Sequence, residues 1–182
     1  MSRRLSLLVA GLAAVACLGT SAGDAAAASC TKANASPTKT SRAAIARTTL
    51  CLVNAERKTQ QLRPLRMSRP LSAAALSHSR DMVRRSYFEH TAPGGPSFLQ
   101  RIRRSGYLRS ADRWRVGENL GWGARAESSP RIIVQAWMHS QPHRKAILTP
   151  AYREAGVGVA RGVPTSRATG GATYTIDFAF KR

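Results

Sequence analysis

Apolar positions in this chain alternate between stretches of helical spacing and shorter strand-like runs. From Arg42, the residues Ile45, Thr48, Leu52, Ala55, Thr59 and Leu62 recur every three or four positions, which predicts one face of a helix ending near Leu62. Arg63-Pro64-Leu65-Arg66-Met67-Ser68-Arg69-Pro70 breaks that period with two prolines. Ser68 or Pro70 then opens a second helix to about Arg85, with Leu71, Ala75, His78 and Met82 facing inward. His78 lies on that apolar stripe and reads as a core histidine satisfied by a neighbour. Residues 87–96 end in Pro93-Gly94-Gly95-Pro96, which cannot continue a helix and marks a loop. Ser97 is a good cap for a short third helix over 98–105, stopped by Gly106. Arg101, Arg103 and Arg104 are expected on its wet face.

The second half adds strands. Residues 116–122 form the first clear strand run, and 155–161 and 173–180 are rich in Val, Tyr, Ile and Phe at strand length. Residues 162–171 read as the loop of a long hairpin. Between these runs, Ser128 or Ser129 caps a fourth helix over 130–139, with Ile133, Ala136 and Trp137 inward. His139 and His143 have the spacing of zinc-binding helices, but Pro142 lies between them. Ser140 therefore starts a separate short helix over 141–148, with His143 near its beginning and His139 left at a helix end. The order predicts an α+β fold, with helices covering a small, mostly antiparallel sheet. No internal repeat is present.

Glu118, in Val116-Gly117-Glu118-Asn119-Leu120-Gly121-Trp122, is the chemically telling position. An acid in a run that reads as a buried strand costs free energy unless it is paired, hydrogen-bonded or bound to a cation. His90, in Tyr87-Phe88-Glu89-His90-Thr91, and His143, in Ser140-Gln141-Pro142-His143-Arg144, are its candidate partners.

The first 28 residues have the form of a secretory signal. Arg3 and Arg4 precede an apolar run over 5–18, and Ala25 to Ala28 offer small-residue cleavage sites. That run is shorter than the roughly 20 residues of a membrane-spanning helix. Ala14-Val15-Ala16-Cys17 faintly resembles a lipoprotein processing site but lacks a leucine three residues before the cysteine, so Cys17 is taken as an ordinary leader residue. We expect a signal peptide over 1–28, a flexible polar lead-in over 29–41 that adds nothing to the core, and one domain over 42–182. Export would put Cys30 and Cys51 in an oxidising compartment, where pairing is the default. With 29 Lys and Arg against 9 Asp and Glu, the formal charge is +20. Such a field favours anionic polymers and lipid headgroups. The arginines lack the aromatic interleaving of a nucleic-acid module, so specific nucleic-acid binding is not expected.

Several of these stretches together resemble one family. Asn54-Ala55-Glu56-Arg57, the His90 loop, Gly117-Glu118-Asn119-Leu120, Ala136-Trp137-Met138-His139-Ser140 with Pro142-His143-Arg144, and Gly156-Val157-Gly158-Val159 occur in the order found in the CAP superfamily. This group, also called SCP-like, takes in cysteine-rich secretory proteins, antigen five and pathogenesis-related proteins, and the likeness is to its bacterial branch. The resemblance implies a three-layer α-β-α sandwich with a central cavity, whose family pattern is two histidines and two acids. His90 and His143 match the histidines and Glu118 one acid. The second acid is missing after Trp137, and Glu154 is the substitute considered.

Family members that bind zinc or another divalent cation imply His90 and His143 as possible metal ligands, with Glu118 completing a site that could activate water. The function favoured on this resemblance is a secreted, non-enzymatic binding module for a lipid, an envelope component or a partner protein. The alternative is a metal-dependent hydrolase or protease using His90, Glu118 and His143, with Glu118 as base. The chain has no Gly-x-Ser-x-Gly elbow and no His-Glu-x-x-His helix to support that alternative.

Overall fold

The structure is a computed structural model that describes residues 30–182. The expected signal segment and Cys17 lie outside the described residues. Five helices and four strands follow in the order α1 (Arg42–Thr59), β1 (Arg66–Met67), α2 (Arg69–Arg85), α3 (Phe98–Arg104), β2 (Trp114–Gly123), α4 (Pro130–His139), α5 (Gln141–Ile147), β3 (Glu154–Arg161) and β4 (Ala172–Lys181). A 3₁₀ turn, Arg125–Ser128, leads into α4. Among the described residues, no helix is long and apolar enough to cross a membrane.

Local sequence sets several of these boundaries. Ser97 and Gln100 form a reciprocal capping box that starts α3. Pro130 and Pro142 occupy the first turns of α4 and α5, where a missing N–H costs nothing. The proline therefore does separate His139 from His143. In α1, Asn54 brackets the backbone of Leu65, accepting from its N–H at 2.8 Å and donating to its carbonyl at 3.0 Å. The fully buried Arg57 donates to the carbonyls of Arg63, Ile147, Thr149 and Tyr152. The Asn54-Ala55-Glu56-Arg57 motif thus clamps two chain turns.

The sheet order is β1-β3-β4-β2, with β3–β4 and β4–β2 antiparallel and β1 parallel to β3. One face carries the main core: Ile45 and Val53 of α1, Trp137 of α4 and Ile147 of α5 pack on Val157, Ile176 and Phe178. α2 and α3 cover the other face. A Cβ on Gly156 would strike the backbone of Leu71 and Ser72, and one on Gly158 that of Ala75 and Leu76. The Gly156-Val157-Gly158-Val159 motif therefore alternates residues with no side chain, under α2, with valines in the opposite core.

The sheet is mostly antiparallel, as expected, and β1, between two prolines, adds an unforeseen parallel edge. Three expectations are corrected. Helix α1 ends at Thr59, not near Leu62. On α4, Val134 is buried and Ala136 exposed. The lead-in is held down rather than free: Cys30 is bonded to Cys51, and Ala33 joins the core. The Ala33 carbonyl also accepts from Arg131 N–H at 2.9 Å.

Candidate functional site

Glu118 sits on β2 directly opposite Asp177 on β4. Paired residues of an antiparallel ladder send their side chains to the same face, here the face under α2 and α3. Both acids are buried. Each oxygen of Glu118 has a partner: Oε1 meets Nδ1 of His90 at 2.8 Å, and Oε2 accepts from the guanidinium of Arg101 at 2.6 Å. Arg101 also donates to the carbonyls of His90 at 2.9 Å and Pro96 at 3.0 Å, holding the 87–97 loop against α3. Carboxylate, guanidinium and imidazole therefore form one strut, with His90 at its half-exposed end.

Neither oxygen of Asp177 has a donor partner. Burial pushes its carboxyl well above the ordinary value, and the adjacent negative charge of Glu118 adds to the effect. The bond open to it is with Glu118, and that bond requires a proton between the two acids.

β2 reaches the histidine loops from successive residues. Glu118 takes the His90 loop on one face, while Asn119, on the other, donates to the carbonyl of His143 at 3.0 Å and fixes the start of α5. Burial first and the nearby His90 second hold the His143 imidazole below its usual pKa, so it stays neutral at neutral pH. His78 is buried, with Nε2 at 2.9 Å from the Glu89 carbonyl and its pKa lowered chiefly by burial. It fills the structural place expected of it. His139 ends α4, exposed, with Nδ1 at 2.8 Å from the Gln135 carbonyl. Glu154 stands away from the Glu118–Asp177 row, accepting from Tyr107 at 2.7 Å with Arg66 at 3.9 Å.

Sequence reasoning missed two members of this cluster. Arg101, expected on the wet face of α3, is instead buried against Glu118. Asp177 lies inside the last strand, where a lone acid in an apolar run is the same signal that singled out Glu118.

A divalent cation does not fit these residues as they stand. Both oxygens of Glu118 are engaged, one of them by a guanidinium, leaving the imidazoles of His90 and His143. Among the described residues, no group of three or more His, Cys, Asp or Glu side chains is placed to hold a metal ion.

A groove of about 940 Å³ lies between α2 and α3, with Arg101, Ala92 and Pro96 in its lining. It has apolar walls, including Ala74, Leu76 and Pro96, and its lining carries five arginines against a single acid, Asp81. Burial opposes charge on Asp81, but the Tyr87 hydroxyl at 2.7 Å, with Arg84 and Arg85, holds its pKa below the ordinary value. The groove is therefore cationic.

Residues 50–176 match the Cysteine-rich secretory protein family, CAP. The chain belongs to the CAP family. It is 37% identical over 107 residues to YkwD and 33% identical over 112 residues to the membrane protein YlbC, both of Bacillus subtilis. The matches cover 59% and 62% of this chain but span only 39% and 30% of those relatives. Among solved structures, an extracellular protein containing an SCP domain from Bacillus anthracis superposes with a TM-score of 0.60 at 24% identity, covering 75% of this chain and 40% of that one. An outer surface protein from Borrelia burgdorferi gives a TM-score of 0.57 at 20% identity, covering 75% of this chain and 92% of that one. At these identities the likeness establishes the fold, and the α+β CAP architecture agrees with it.

Proposed function

We propose that this CAP domain is an exported binding module that holds an anionic, partly apolar envelope component in the α2–α3 groove without chemical turnover. The observation that carries this reading is the engagement of both Glu118 oxygens by His90 and Arg101. A general base must be reached by the substrate proton, and the Glu118 carboxylate is held between His90 and Arg101 with its side chain only 1% exposed. Glu118 is instead committed to holding the 87–97 loop, one wall of the groove. The groove's own chemistry, apolar walls under an excess of guanidinium groups, matches a ligand with an acyl or other apolar portion and a phosphate or carboxylate head. Export is supported by the leader-like first 28 residues, by the Cys30–Cys51 bond, and by relatives described as extracellular or outer-surface proteins.

The test titrates purified protein with monododecyl phosphate and, separately, screens it for hydrolysis of ester, amide and phosphodiester substrates. Saturable binding weakened at least tenfold by Arg80→Glu/Arg104→Glu is expected, with no activity that distinguishes wild type from Glu118→Gln. Turnover lost in Glu118→Gln would replace the module with an enzyme.

A further inference from the structure

The hydrogen bonds around His78 leave one proton position unfilled. Its Nε2 lies 2.9 Å from the Glu89 carbonyl, which can only accept, so the neutral ring carries its hydrogen on Nε2. Nδ1 is then a lone pair, and 3.4 Å away it meets the Tyr87 hydroxyl. That hydroxyl donates its own hydrogen to the ionised Asp81 at 2.7 Å. Burial first, and the bond to Asp81 second, push the Tyr87 pKa up, so the hydroxyl keeps its proton. Nδ1 and the Tyr87 oxygen therefore face each other as two acceptors with no hydrogen between them. A second proton on His78 fills that gap. The chain then runs unbroken, from Asp81 through Tyr87 and both ring nitrogens of His78 to the Glu89 carbonyl, and joins α2 to the start of the His90 loop.

We propose that His78 takes up a proton from solvent when an anionic group occupies the α2–α3 groove, closing this chain and coupling ligand binding to pH. The proposal rests on the reading of that groove as an anion site and names its regulation. His78 belongs to the groove lining but is only 1% exposed, so it acts on a ligand through its charge and not by contact. In the empty groove, burial first and the Arg101 guanidinium second hold the ring below its ordinary pKa of 6.5, against the pull of Glu118, the Glu89 carbonyl and Asp81. Two further charged groups belong to the surroundings: Arg85, 5.5 Å from the centre of the Tyr87 ring, and Asp177 on β4, across the ladder from Glu118. An anion among Arg80, Arg84, Arg85 and Arg104 offsets the cationic field that keeps His78 neutral. By linkage, a ligand that raises the proton affinity of the ring is itself held more tightly once the proton is there. Affinity therefore rises as pH falls through the pKa of the occupied state, and levels off once the ring of the empty groove is protonated as well.

The experiment titrates the purified protein with octanesulfonate, whose charge is constant in the range used, by calorimetry from about pH 7.5 to about pH 5.5. Each titration is run in two buffers of different ionisation enthalpy. Affinity should rise about fivefold across that range, and the difference in heat between the buffers should report proton uptake. Nuclear magnetic resonance of the His78 ring should show hydrogen on Nε2 alone in the free protein near neutrality, and on both nitrogens in the complex at the acid end. His78→Gln, whose amide can still donate to the Glu89 carbonyl but carries no charge, should lose the rise in affinity. Tyr87→Phe, which keeps His78 but removes the acceptor for Nδ1, should reduce the rise at least twofold. His139→Gln, at the exposed end of α4, should leave it unchanged. A free-protein ring with its hydrogen on Nδ1, or a rise that survives intact in His78→Gln, overturns the coupling while leaving the groove an anion site. Octanesulfonate that binds at no pH, or that binds Arg80→Glu/Arg104→Glu as well as wild type, overturns the reading of the groove and the coupling with it.

Discussion

Arg101 and Asp177 flank Glu118: the guanidinium donates to its Oε2 at 2.6 Å, and the second carboxyl stands directly opposite it across the β2–β4 ladder. Removing Arg101 strands a buried carboxylate, so Arg101→Ala is expected to cost about 3–5 kcal/mol in urea unfolding. Arg104→Ala, three residues along the same helix but exposed, should cost under about 0.5 kcal/mol. Equal small losses would mean that Arg101 is no strut. Asp177 gives a pH signature. Its folded pKa is raised, so the folded protein retains a proton that the unfolded chain releases above the ordinary value of 3.8. The stability linked to that proton is complete below 3.8 and is lost as pH rises toward the folded pKa. Unfolding free energies of Asp177→Asn and wild type should therefore diverge as pH rises above about 4, with the variant gaining, and a gap independent of pH would refute the raised carboxyl. Sequence held part of this cluster. Glu118 was legible because a lone acid in an apolar run demands a partner, and Asp177 carried the same signal. Arg101 could not be separated from Arg103 and Arg104 by residue type; only the packing of α3 against β2 distinguishes it.

Helices and strands were more legible than their joins, because periodicity extends over many residues and a join rests on one or two. The capping box at Ser97, the proline starts of α4 and α5 and the β3–β4 hairpin all follow from local chemistry. β1 does not, since two residues show no alternation and the strand exists only because Asn54 and β3 hold residues 65–68 in place. On α4, helical spacing alone allows the apolar stripe to run through either Ala136 or Val134, and the sheet below selects Val134. The close approach of α2 to β3 is the element-scale feature easiest to test. Gly158→Ala drives a methyl into the α2 backbone and is expected to cost about 3 kcal/mol or more in thermal unfolding. Gly106→Ala, at a left-handed φ of 81° but in open space, should cost about 1–2 kcal/mol from backbone strain alone. A smaller loss at Gly158 than at Gly106 would show that α2 can lift from the sheet at little cost.

For the whole molecule the open question is whether anion binding comes from the overall charge or from one place on the surface. A chain with 29 basic and 9 acidic side chains is drawn to any anionic surface, and that attraction weakens as added salt shortens the screening length from about 10 Å at 0.1 M toward 3 Å at 1 M. A groove that also contacts the ligand's apolar part retains affinity when the long-range field is screened. Two double variants with the same change in net charge separate the contributions. Arg80→Glu/Arg104→Glu alters the α2–α3 groove, while Arg109→Glu/Arg113→Glu alters exposed positions before β2 that do not line it. On phosphatidylglycerol vesicles at low salt both variants should bind more weakly than wild type, by similar factors. At about 0.5 M NaCl the Arg109/Arg113 variant should approach wild type, and the Arg80/Arg104 variant should remain at least tenfold weaker. Cosedimentation across a salt series reads both limits. Curves that coincide at every salt concentration would assign the binding to net charge and leave the groove without a ligand.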